Sequence, residues 1–260
     1  MATQGWNPVA DWYDGWVGDK GSIHHTKLAI PAVMELLGVK PGEKILDIGC
    51  GQGVLAQYIV SAQGLYTGID VSEKLIQIAK TRKLPARIGY AEGVAGGENS
   101  NFLVGDARRL NLSGFDAAVM LLSIQDMDPL EQVIESVTKV LKSGGRLVIF
   151  MNHPAFRIPR QSGWGRDEGR KLQYRRIDRY LTSLAVPMKA YSGGQGGVTT
   201  SFHRPLQNYV NVLGDKGFVI DRMLEIPTYK VSQPGPNARA ENLSFREIPQ
   251  FLAIRARKII

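Results

Sequence analysis

The sequence predicts an α/β fold, a doubly wound and mostly parallel sheet with helices on both faces. Three observations carry this. Short apolar runs alternate with amphipathic stretches of helical period between residues 44 and 151. The first run, 44–48, carries Asp47 near its end and meets a Gly-x-Gly-x-Gly turn at Gly49, Gly51 and Gly53. The second run, 65–69, ends at Asp70, twenty-three residues after Asp47.

The elements follow in order. Residues 10–17 carry Trp12, Tyr13 and Trp16, and 26–37 read as an amphipathic helix closed by Gly38; together they form an N-terminal helical cap over 1–38. The turn 40–43 leads into the first strand, 44–48, and 54–61 is its crossover helix. Strand 65–69 is followed by a helix at 72–82, with Ser72 as N-cap and Glu73 in its first turn. Residues 84–100 form a glycine-rich connection, expected as a surface loop or flap. Strands follow at 102–104, 115–121 and 146–151, with a helix at 129–141 and a turn at 142–145 before the last of them. Periodicity fails from 152 to 204, a polar, basic and aromatic stretch. A helix at 205–213 and strands at 218–226 and 251–257 complete the chain. This is the pattern of one domain (1–260): cap, core (39–151), insertion (152–204) and C-terminal unit (205–260). An insertion of that length in a compact domain is usually functional.

The glycine loop defines the chemistry. Glycines allow a sharp turn and close backbone approach to a ligand, and a helix start beyond them offers free N–H groups. An acid at the end of the next strand can accept both ribose hydroxyls of a nucleoside. The dinucleotide fingerprint is Gly-x-Gly-x-x-Gly; here the third glycine comes one residue early, at Gly53, and Val54 stands in its place. Asp47 opposes a pyrophosphate and suits a cationic amino group.

The segment resembles motif I of the class I S-adenosylmethionine (SAM) methyltransferases, matching at Asp47, Gly49, Gly51, Gly53 and, as ribose acid, Asp70. Val104-Gly105-Asp106-Ala107 is similar to the family's adenine segment, and residues 115–121 to its fourth-strand motif. The resemblance implies a Rossmann-like, seven-stranded sheet of order 3-2-1-4-5-7-6 with the last strand antiparallel. It also implies SAM as cofactor, with S-adenosylhomocysteine as product. Its binding set here is Tyr13, Asp47, Gly49, Cys50, Gly51, Gly53, Asp70, Val71, Asp106, Ala107, Leu121 and Gln125. Asp106 has a second reading as a helix N-cap, and the Cys50 thiol reads as filling a small gap beside the cofactor.

On the acceptor side, His153 follows the fifth strand and is the candidate base or orienting group, against the alternative of a histidine bonded within a turn. His25 is a second candidate, while His203 reads as organising a helix start. Ser123, Arg157, Arg160 and Trp164 are the candidate substrate contacts, the arginines for a carboxylate or phosphate. The expected reaction is in-line methyl transfer to a small aromatic or anionic molecule, with oxygen the first acceptor considered, then nitrogen or carbon. The alternative is an RNA or protein acceptor. The chain carries a net charge of +8, and between 157 and 179 eight basic residues face three acidic ones, so this stretch supplies five of those charges. The fourth strand lacks the Asn/Asp-Pro-Pro-Tyr motif of amino-nitrogen base methylation. The four histidines lack the paired carboxylates of a metal cluster. The single cysteine, the lack of a readable signal peptide and the lack of any bilayer-length apolar run predict a cytoplasmic protein with no membrane partner.

Overall fold

The computed structural model describes residues 5–82, 100–189 and 197–259. Residues 83–99, which hold nearly all of the expected glycine-rich flap, lie outside this set, as does Tyr191. The elements are α1 (Ala10–Val17), α2 (Ile30–Leu37), β1 (Lys44–Ile48), α3 (Ala56–Ser61), β2 (Leu65–Asp70), α4 (Glu73–Thr81), β3 (Ser100–Val104), β4 (Phe115–Leu121), α5 (Leu130–Val140), β5 (Leu141–Asn152), β6 (Ser162–Asp167), β7 (Leu172–Ile177), β8 (Leu184–Lys189), β9 (Val198–His203), α6 (Leu206–Asp215), β10 (Phe218–Ile226), α7 (Ala238–Glu247) and β11 (Phe251–Lys258).

Seven strands form the main sheet in the order β10-β11-β5-β4-β1-β2-β3. β1 pairs in parallel with β2 and β4, and β11 runs antiparallel to both β5 and β10. This is the Rossmann-like order expected, antiparallel last strand included. Side chains alternate across the sheet, so each central strand feeds two cores. Ile45, Val119 and Phe150 join α2 and α3 on one face. Leu46, Ile48, Met120 and Ile149 join α5 and α6 on the other. Each such fully buried side chain stabilises the fold by about 1.5–3 kcal/mol.

Local chemistry explains the boundaries. Ser72 caps α4 by accepting from the Leu75 N–H at 3.2 Å, and its hydroxyl donates to Asn7 Oδ1 at 2.6 Å. The cap is tied down beside it by Lys74–Asp11 (2.5 Å) and Arg82–Asp14 (2.6 Å) ion pairs. The helix expected at 26–37 opens instead as a wide π-type turn over His25–Ala29, just before Pro31, which has no N–H to give. The crossover helix starts at Ala56, two residues later than expected, because 51–55 are still turning. Its first N–H, of Ala56, donates to Gly53 O at 3.1 Å, so the helix starts three residues beyond the last loop glycine.

The largest departure is the insertion. It forms two antiparallel hairpins, β6–β7 and β8–β9, apart from the main sheet. α7 was likewise not legible in the sequence; Trp164 of β6 packs on its Phe245 edge-to-face at 5.8 Å. No described helix is long and apolar enough to cross a membrane.

Candidate active site

The parallel strands end together, and their carboxyl ends frame a cleft of about 840 Å³, counting the solvent at its mouth. The loop after β1 makes its floor. Gly49 and Cys50 both donate N–H bonds to Ile69 O, at 2.8 and 3.1 Å, folding the loop back onto the end of β2. Gly49 has φ +72°, and a Cβ there would stand 2.5 Å from Ser123 Cβ. Gly51 faces Tyr13 of the cap. Gly53 has φ +80°, but its missing Cβ is filled by Phe102, 2.6 Å away. Gly53 therefore serves packing rather than the cleft, whose lining does not include it.

Of the expected cofactor residues, Tyr13, Gly49, Gly51, Asp70, Val71, Asp106, Ala107 and Leu121 line the cleft. Asp47, Cys50, Gly53 and Gln125 do not. Cys50 Sγ lies against Gly68, where a Cβ would approach it to 2.8 Å, so the thiol fills a gap under the loop. Burial and two neighbouring aspartates push that thiol well above its usual range. Ser123, expected on the acceptor side, lines this cleft instead and donates to Ile48 O at 2.7 Å.

Charge is distributed unevenly. Asp70 receives the Gly51 and Ser72 N–H groups, both at 2.8 Å, yet burial still raises its carboxyl. Asp47, 2% exposed, accepts from Tyr66 Oη at 2.8 Å, while its Oδ1 is buried without a partner. Burial, helped by the Asp70 charge, pushes the Asp47 carboxyl up to about 7. Asp126, hemmed in at the cleft wall, is pushed up to about 8 by burial and then by Asp70. None of the three has a Lys or Arg ion-pair partner among the described residues. The far end is different: Arg108 grips Asp106 through Nε at 3.0 Å and Nη2 at 2.6 Å, holding that carboxyl below its usual range.

Several lining residues escaped the sequence reading. Trp6 stands edge-to-face on Tyr13 at 5.4 Å; Leu122, Asp126, Met127 and Asp128 follow β4. The latter had a signal, since the strand-end reading stopped at Gln125 and needed only three more residues. Leu122 adopts φ +56°, a left-handed conformation uncommon for a bulky side chain and typical of functional turns.

The candidate bases lie elsewhere. His153 Nδ1 accepts from Ala155 N–H at 3.1 Å, so Nε2 carries the proton and donates to Glu225 at 3.0 Å. Both ring nitrogens are thus engaged, and His153 lines neither cavity described here. It is the turn histidine of the alternative reading, with no free lone pair to take a proton. His25 is buried, bonded to Ser22 Oγ at 2.9 Å and pushed down to about 4 by burial. It is neutral at neutral pH and away from both linings.

The insertion's residues disperse. Arg160 donates to Pro187 O at 2.8 Å, and Trp164 sits under the Arg175 guanidinium at 5.1 Å. Neither reaches the cleft. Arg157 and Gln125 instead line a second, smaller cavity between the end of β5, β9 and α6. Part of the basic stretch is spent on itself: Arg166–Glu168, Arg170–Asp167 and Arg176–Asp178 are paired, and Arg175 holds Phe156 O at 2.6 Å.

Residues 46–149 match the family model described as "Methyltransferase domain". A SAM-dependent methyltransferase from Mesorhizobium loti superposes with a TM-score of 0.64 at 26% identity, covering 87% of this chain and 96% of that one. The chain thus has the fold of the class I SAM-dependent methyltransferases, and that segment is similar to a methyltransferase domain. Among curated proteins, the demethylmenaquinone methyltransferase of Tropheryma whipplei (strain Twist) is 31% identical over 125 residues, 47% of this chain and 48% of that protein. The match therefore spans about half the length of that relative. The same fold is shared by the [4+2]-cyclase SpnF, with a TM-score of 0.64, 18% identity, and 100% and 97% coverage.

Proposed function

We propose that the protein transfers a methyl group from SAM to a small-molecule acceptor. One observation carries the reading: Asp70 and Asp126 line the cleft beside the glycine loop without a basic partner among the described residues, and the buried Asp47 lies just behind it. Such a site is short of positive charge, and a sulfonium nucleoside with an ammonium group supplies it. The residues present fit that group. Asp70 is the ribose acid, and Ala107 with Asp106, in competition with Arg108, meets the adenine. Asp126, with Asp47 behind the loop, answers the cationic end. Tyr13 and Trp6 of the cap line the same cleft, edge-to-face on each other. When bound, SAM supplies an electrophilic methyl for in-line displacement, which positioning alone accelerates strongly.

The acceptor is read from different observations. The family match ends at residue 149, before the insertion, so a relative's acceptor does not carry over with it. The three acids of the basic stretch pair within it, and its remaining positive charge is answered by a small anionic molecule held between the cleft and the insertion rather than by RNA. We take 1–260 as one unit, with 152–204 on the acceptor side. Its one free thiol, Cys50, fits a reducing, cytoplasmic setting.

Calorimetry with S-adenosylhomocysteine tests the reading. The parent is expected to bind it, and Asp70→Asn to lose about tenfold or more, the worth of charged hydrogen bonds. Equal affinity in the variant would remove the ribose assignment, and a parent that does not bind S-adenosylhomocysteine would remove the cofactor.

A further inference from the structure

The second cavity is small, about 20 Å³ apart from its open side, and several of its polar groups are unspent. Arg157 has no ion pair or side-chain hydrogen bond among the described residues; its guanidinium lies over the Phe251 ring at 4.7 Å. Burial and nearby Arg175 both work against its charge. Arg204, 6% exposed, spends Nη2 on Met127 O (2.7 Å) and Asp128 Oδ1 (2.6 Å), leaving Nη1 buried without a hydrogen-bond partner. Gln125 gives Nε2 to Leu122 O at 2.7 Å, and its Oε1 is buried without a partner. A desolvated cation and orphaned donors are costly unless something answers them.

We propose that this cavity is the anchoring subsite of the methyl acceptor, taking an oxyanion, carboxylate or phosphate, against Arg157 and Arg204 while a hydroxyl or amine of the same molecule donates to Gln125 Oε1. Two arginines and, among the described residues, no carboxylate line the cavity, which gives it a positive balance; Asp128, held by Arg204, lines the donor cleft. Guanidinium donors match an oxyanion's geometry, and the free amide oxygen demands a donor beside it. The place also suits an acceptor. Gln125 lines this cavity, the next three residues, Asp126, Met127 and Asp128, line the donor cleft, and Arg204 grips that same segment from the cavity side. One strip of chain is the wall between the two. The acceptor role rests on the methyl-transfer reading; the anion site does not.

The experiment separates the two. The protein, with and without saturating S-adenosylhomocysteine, is titrated with 4-hydroxybenzoate, phenyl phosphate and neutral 4-hydroxybenzamide, followed by ligand-observed NMR. At least one anion is expected to bind saturably and about tenfold or more tighter than the amide. Arg157→Gln should weaken it by about ten- to a hundredfold and Arg157→Lys by less, with S-adenosylhomocysteine affinity unchanged in both. That retained affinity reports the fold of the variants. Equal binding of the amide, an unaffected Arg157→Gln, or no saturation up to about 10 mM overturns the subsite. Anion binding in a protein that ignores S-adenosylhomocysteine leaves the site standing and refutes its acceptor role.

Discussion

Lowering the pH should weaken cofactor binding, and the structure sets the size of the effect. The Asp126 carboxyl titrates near 8 in the free protein because burial and the Asp70 charge oppose its ionisation. A cationic ligand needs the ionised form. At pH 6 that form is about one molecule in a hundred, so affinity should fall about a hundredfold from pH 9 to pH 6 through Asp126 alone. Asp47, near 7, can add up to about tenfold over the lower part of the range. The linkage has a definite sign. Folded-state values lie above the usual carboxylate range, so the free protein holds more protons than the unfolded chain between about pH 4 and 8. Its stability therefore falls as pH rises through that window, and ligand binding releases protons. Calorimetry with S-adenosylhomocysteine in buffers of differing ionisation enthalpy measures both quantities. Asp126→Asn should flatten the pH profile and raise the melting temperature of the free protein at pH 8.5. An affinity flat from pH 6 to 9 in the parent, with no proton release, would refute the reasoning.

Two further expectations concern residues whose roles the structure reassigns. Gly53→Ala should cost about 2–4 kcal/mol in urea denaturation, from the left-handed backbone and the contact with Phe102, while the folded fraction keeps its ligand affinity; a collapse in affinity without loss of stability would return Gly53 to the cofactor. His153→Ala should destabilise by about 1–3 kcal/mol by orphaning the Ala155 N–H, with turnover within about tenfold of the parent; a loss of about 10²–10⁴ in rate at unchanged stability would restore it as a base.

The donor half of the site was legible because its determinants are local. Gly49 and Gly51 announce a turn only they can make, and Asp70 sits at a strand end that its own apolar run reveals. The acceptor half depended on residues far apart in sequence. β6, with two glycines and a charged C-terminal end, and β7, alternating exposed and half-buried without an apolar face, have no strong strand signal of their own; pairing made them strands. His153 looked like a base because a histidine after a parallel strand stands where ligands bind; only Glu225, 72 residues on, and the turn at Ala155 use up its nitrogens.

By itself, then, the sequence determined the alternation of strands and helices, the glycine floor of the cleft and the acid at the end of its second strand, since hydrophobic period and backbone-restricted residue types act within a few positions; the sheet order was implied only by the family resemblance. Tertiary structure alone decided which polar groups were left unsatisfied. Among the described residues, Asp126 without a basic partner, Arg157 without a counter-ion and Gln125 Oε1 without a donor are properties of what folding brings near them, and no single stretch of chain records them.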